Sequence, residues 1–241
     1  MNRFCMPRLR YSTYSTSANS RVLRTAMRSA SRLTLTVLLV FTFSCTRANA
    51  APEQAFWQWF QNNESSLFDF EKNREKIFNE LSAEMHKVDP SLTFEFGPKE
   101  NGQREFVISA DGIREAFPKV EALYANAPKL PRWKFIKFRP RREPSDISYG
   151  GISIKAQSVS VLLVPNGQTA DLTIFMPGYT ETARSAYTTI AFLFLDEALG
   201  EYDVETRVGE VKIDSTSKAP AHTYSLDALP AAFDSVITGK K

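Results

Sequence analysis

The sequence predicts an α+β fold: a mostly antiparallel sheet built from hairpins, with helices packed on one face. Asn101-Gly102 and Pro165-Asn166-Gly167 each separate two strand-like segments, and a tight hairpin turn favours such dipeptides because it needs positive φ. Helical periodicity recurs between and around the two hairpins. These segments do not fall into the regular strand–helix–strand alternation of a parallel sheet.

Taken in order, Phe56, Trp59 and Phe60 sit at i, i+3 and i+4 within a short helix over 56–61, which ends at Asn62-Asn63. That face should dock on the sheet and leave Trp57 off it, free to line a pocket or an interface. A membrane-surface helix would need a basic polar face, and residues 51–66 contain no Lys or Arg. A second helix over 70–88 carries Phe70, Ile77, Phe78, Leu81, Met85 and Val88 on one stripe, and Asp89-Pro90 stops it. Leu92 to Phe96 alternates as a half-buried strand and returns over Glu105 to Ile108.

A helix from about 112 follows, with Asp111 as its cap and Pro118 as a kink. Trp133 to Phe138 reads as a central strand. The second hairpin pairs Ser158–Val164 with Ala170–Met176. A helix over 181–199 takes Thr180 as N-cap and Gly200 beyond its end, Val204 to Ile213 supplies one or two strands, and a last helix spans 226–237. No internal repeat is visible.

Residues 1–50 differ in character from the rest. They hold eight Arg and no Lys, Asp or Glu; without them the charged residues fall from 30 basic and 27 acidic to 22 and 27, and the formal net charge from +3 to −5. Arg28 and Arg32 precede the apolar run LTLTVLLVFTF at 33–43, and Ala48-Asn49-Ala50 places small residues before Ala51. This is the pattern of a secretory signal peptide over 1–50, with Met27 as a candidate true start. Eleven residues of helix span about 16 Å, short of a bilayer core of about 30 Å. Lipidation at Cys45 and a mitochondrial presequence are the alternatives. Residues 51–241 then form a single α+β domain without cysteine, periplasmic or secreted.

FEFGPKENGQREFVISADGIREAFPKVEAL and APKLPRWKFIKFRPR resemble blocks of a widespread set of uncharacterised bacterial proteins, over roughly residues 56–215. The resemblance implies no activity and carries over no catalytic residue.

Catalytic motifs are sparse. The two histidines, His86 and His222, lack paired metal-ligand spacing. Ser215-Thr216-Ser217-Lys218 matches S-x-x-K but falls in a polar loop without partner motifs. The candidate binding residues are Trp133, Lys134, Lys137, Arg139, Arg141 and Arg142, where aromatic and basic residues interleave as in an anion-gripping strand. An acidic, exported chain disfavours nucleic acid, so the expected partner is an anionic ligand or another protein. Asp196 and Glu197 lie at a helix C-terminus against the macrodipole, which invites a compensating cation. The sequence therefore predicts a non-catalytic envelope binding module, needing neither metal nor cofactor. The alternative is a hydrolase using an Asp/Glu pair drawn from Glu95, Glu105, Asp196 and Glu197.

Overall fold

Helix α1 (Pro52–Asn62) starts on a proline and buries Phe56, Trp57 and Phe60. The computed structural model to which it belongs describes residues 51–239, so the predicted leader lies outside the described residues. Trp57, expected off the packed face, is 3% exposed and donates its indole N–H to the Leu123 carbonyl at 2.7 Å, whereas Trp59 is only partly buried. The correction has a simple cause. The helix has protein on more than one side, so a wider arc than one amphipathic stripe is covered.

Helix α2 (Glu64–Phe68) and a 3-10 turn at Phe70–Asn73 lead into α3 (Arg74–His86), which buries Ile77, Leu81 and Met85 at helical spacing. Strand β1 (Thr93–Glu100) pairs antiparallel with β2 (Gln103–Ser109). Asn101 and Gly102 both have positive φ, 50° and 76°, which is the two-residue type I′ geometry that follows the right-handed twist of the strands. A 3-10 turn at Arg114–Ala116 then opens α4 (Phe117–Ala125). Asp111 has φ +51° and caps nothing, and Pro118 lies in the first turn. Its missing N–H has no intrahelical partner there, so it starts the helix instead of kinking it. Strand β3 (Trp133–Lys137) runs parallel to β2 and forms an edge of the sheet β1-β2-β3, not its centre.

The second half begins with a small hairpin, β4 (Ile147–Tyr149) and β5 (Ile152–Ile154). Strands β6 (Ser160–Asn166) and β7 (Thr169–Met176) are antiparallel. Their turn is Gly167-Gln168, with φ +63° at the glycine, one residue later than the sequence suggests. Helix α5 (Arg184–Leu199) follows a 3-10 turn at Glu181–Ala183, and no side chain caps it. Helix α6 (Glu201–Arg207) stands where a strand was expected; Glu201 and Asp203 in its first turn suit the helix dipole. Strand β8 (Val208–Ser215) is parallel to β7, β9 (Tyr224–Ser225) pairs with β6, and α7 (Leu229–Thr238) closes the described chain.

The fold is α+β, with mostly antiparallel strand pairs. Both halves follow one path: a hairpin, a helical crossover, then a strand parallel to the hairpin's second member. Each half has its own apolar cluster, centred on Phe60 and Phe106 in the first and on Ile174 and Phe194 in the second. Among the described residues no helix is long and apolar enough to cross a membrane.

Candidate binding site

The basic run leaves β3 through Phe138, whose φ is +60°, and continues as a strap over residues 139–142 against the C-terminal end of α5. The Arg142 N–H donates to the Glu197 carbonyl at 2.6 Å, and Arg141 Nε donates to the Leu199 carbonyl at 3.0 Å. A helix C-terminus leaves carbonyls without intrahelical donors and favours nearby cations, so the strap serves as its cap. Gly200 permits the approach. A Cβ there would come within 3.2 Å of the Arg139 carbonyl oxygen, at a φ of +80° that L side chains avoid.

Glu201 completes the junction. It is fully buried and accepts hydrogen bonds from the N–H groups of Ala110, Gly112 and Arg139, at 3.0, 3.2 and 3.0 Å. Arg139 is itself buried, paired with Glu95, with Asp111 at 3.0 Å and with Asp196 at 3.8 Å. Arg141 reaches Asp203 at 2.6 Å and Asp234 at 2.7 Å. The bonds that Arg141 donates to Asp234 hold its guanidinium above its usual range, and Arg141 in turn holds the Asp234 carboxyl below its own.

The remaining members of the run are also accounted for. Trp133 is 5% exposed and packs edge-on against Phe60, so it offers no exposed stacking surface. Lys137 pairs with Glu121 at 3.0 Å. Lys134 and Arg142 both reach Glu105, at 2.9 and 2.7 Å. Burial raises the Glu105 carboxyl pKa, but these two cations outweigh it and leave the group below its usual value. Glu95 and Glu105, two of the candidate acid–base residues, go to separate cations: Glu95 is opposite Val107 in the register and bonds Arg139. Glu197 accepts from the Ser145 N–H at 2.8 Å and the Ser145 hydroxyl at 2.9 Å. The acidic end of α5 and the basic strand are thus partners of one another.

Lys134 and Arg142 also line a hollow of about 440 Å³ beside the β1–β2 turn. Phe70, Phe78 and Phe96 line it too, with Arg74 and Arg104 as further cations and Glu71, Glu100 and Glu105 as carboxylates. Arg104 is 1% exposed; its guanidinium lies 4.3 Å from the Phe70 ring centre and bonds Glu71. Burial raises the Glu71 pKa, but Arg104 and its neighbours bring it below the usual value. Sequence reasoning overlooked Arg104. Strand parity could have found it, since 104 shares a face with the core residues Phe106 and Ile108. A second hollow, about 370 Å³, flanks the strap beside Phe138 and Tyr202.

Among the described residues no group of three or more His, Cys, Asp or Glu is placed to hold a metal ion. The chain matches no protein family, no curated protein and no solved structure.

Proposed function

We propose that residues 51–241 are an exported bacterial envelope module, periplasmic or secreted, which binds an anionic ligand and performs no hydrolysis. The observation that carries this reading is the hollow beside the β1–β2 turn, with four cations and three carboxylates around three phenylalanines. A concave, mainly apolar surface with a few converging polar groups is the usual form of a small-ligand site. Two residues of the basic strand, Lys134 and Arg142, contribute to it. Its other cations serve the strap or lie on the surface, which moves the binding reading from an open face to a recess. A bacterial, exported setting rests on the resemblance and on the acid-free leader of residues 1–50.

The hydrolase reading has weaker support. A general acid works best with its carboxyl pKa raised toward neutrality, and that of Glu105 is lowered. Two measurements test the proposal together. N-terminal sequencing of the protein from cell-envelope and culture fractions should give a chain starting at Ala51. Thermal denaturation at constant ionic strength should show saturable stabilisation by at least one carboxylate, phosphate or sulfate compound. Turnover of chromogenic esters or glycosides that is lost in Glu105→Gln would overturn it, as would stabilisation by no anion at all.

A further inference from the structure

Three nitrogen donors in the first core have no acceptor. Arg104 Nε, Arg104 Nη1 and Trp133 Nε1 are buried and unpartnered. They belong to one place. Arg104 and Trp133 are directly opposite each other on the parallel strands β2 and β3. The guanidinium lies 5.7 Å from the Phe68 ring and 5.9 Å from the Phe96 ring, and the Trp133 ring lies 5.7 and 5.8 Å from the same two. The phenylalanines around this place therefore enclose more donors than the Glu71 carboxylate accepts. Burying a donor without an acceptor is costly, the more so on a charged group, and native cores seldom keep such a cluster without a reason.

The surroundings indicate what would satisfy it. Glu71 takes only Arg104 Nη2, and Glu71 itself stands at the mouth, with half of its side chain exposed. The hollow is lined by four cations and three carboxylates, a balance that favours an anion over a cation. Phe70, Phe78 and Phe96 along the same hollow suit a flat apolar body, since aromatic rings pack edge-to-face or offset at such walls. We propose that Arg104, which lines the hollow and is paired in register with Trp133, forms the inner end of a subsite for an aromatic monocarboxylate. Its carboxylate accepts from an unpartnered Arg104 N–H, and its ring lies along the phenylalanines. This deepens the binding-module reading and rests on it.

The test uses phenylacetate as the probe and the Trp133 indole N–H as the reporter, in ¹H–¹⁵N spectra of the protein purified from expressing cells. Trp133→Phe assigns the resonance. Phenylacetate should move that resonance in a saturable one-to-one titration, and inorganic phosphate at matched ionic strength should not. Arg104→Lys, which keeps the charge but changes the donor geometry, should weaken binding at least tenfold. Should that variant fail to fold, the wild-type titration alone still decides. An unmoved Trp133 resonance, or an equal response to phosphate, overturns the proposal. Saturable stabilisation by another anion in that case would leave the general binding reading standing; stabilisation by none would remove both.

Discussion

The two halves of the molecule follow the same chain path with different material. The first, built on β1-β2-α4-β3, has an aromatic core in which Phe56, Trp57, Phe60, Phe106 and Trp133 meet at ring-centre distances of 4.9 to 6.5 Å. The second, built on β6-β7-α5-α6-β8, is mainly aliphatic, with Val161, Leu172, Ile174, Ile190 and Leu195 fully or almost fully buried. Aliphatic side chains carry no donors and interdigitate without leftover polarity. The aromatic half includes a guanidinium and an indole whose hydrogen bonds it does not all supply. The comparison teaches that a shared path fixes where strands run, while core chemistry decides whether a half buries polar groups that its own side chains do not satisfy. The buried charges of the second half, Asp196 and Glu201, belong to the junction.

All three tryptophans, Trp57, Trp59 and Trp133, lie in the first half, so their fluorescence reports on that half while far-UV circular dichroism reports on both. The largest effect should come from the junction. Glu201→Leu strands three N–H groups, two of them buried, and should cost about 3–5 kcal/mol in urea denaturation, the range for breaking a buried charged contact. It should also separate the fluorescence transition from the dichroism transition. Coincident transitions in the variant would show that the halves are one cooperative unit without this clamp.

Next in size are the aromatic positions. Trp57→Ala should lose about 3–5 kcal/mol, and Trp59→Ala distinctly less, because only the first ring is enclosed. Equal losses would contradict the described packing of α1. Gly200→Ala should cost about 1–3 kcal/mol through its backbone conformation and its contact with the strap. The two hairpins should differ more finely. Asn101→Ala forces an alanine to a φ of +50° and should cost about 1 kcal/mol, whereas Asn166→Ala, outside its turn, should change stability by less than about 0.5 kcal/mol. Reversed magnitudes would mean that the frames of the two turns are wrong.

The smallest effect is with acid. Glu71 and Glu105 have folded pKa values below the ordinary 4.5. Their contribution to stability is present above 4.5 and is lost as the pH falls through the lowered values. The melting temperature should therefore be flat from about pH 7 to about pH 5 and decline below that. In Arg104→Lys, any part of the decline that depends on the Glu71 pairing should shrink. A decline beginning near neutrality would point to titrating groups other than these carboxylates.

Much of the architecture was legible because it depends on neighbours along the chain. The stripe of Ile77, Leu81 and Met85 predicts α3, and the Asn-Gly dipeptides predict two hairpins, since both signals are local in their physics. The segment 204–213 misled because Val204 to Ile213 alternates in places, while the turn at Gly200 and the burial of Val204 favour a helix for its first part. The repeated path escaped notice because the halves share a topology without sharing core residues.

By itself the sequence determined the α+β class, the two hairpins, the buried stripe of α3 and the contrast between residues 1–50 and the rest, since periodicity and composition operate over a few residues. Only the tertiary structure decided which charges meet. Glu201 binds the Ala110 N–H across 91 positions of chain, and Arg139 bonds Glu95 across 44. A basic run can face solvent, an anion or a helix end, and its residues are the same in all three cases. The electrostatic partner is set by what folding brings within a few ångströms, and here that was the C-terminus of α5 for the strap, and Glu71 with a cage of phenylalanines for Arg104.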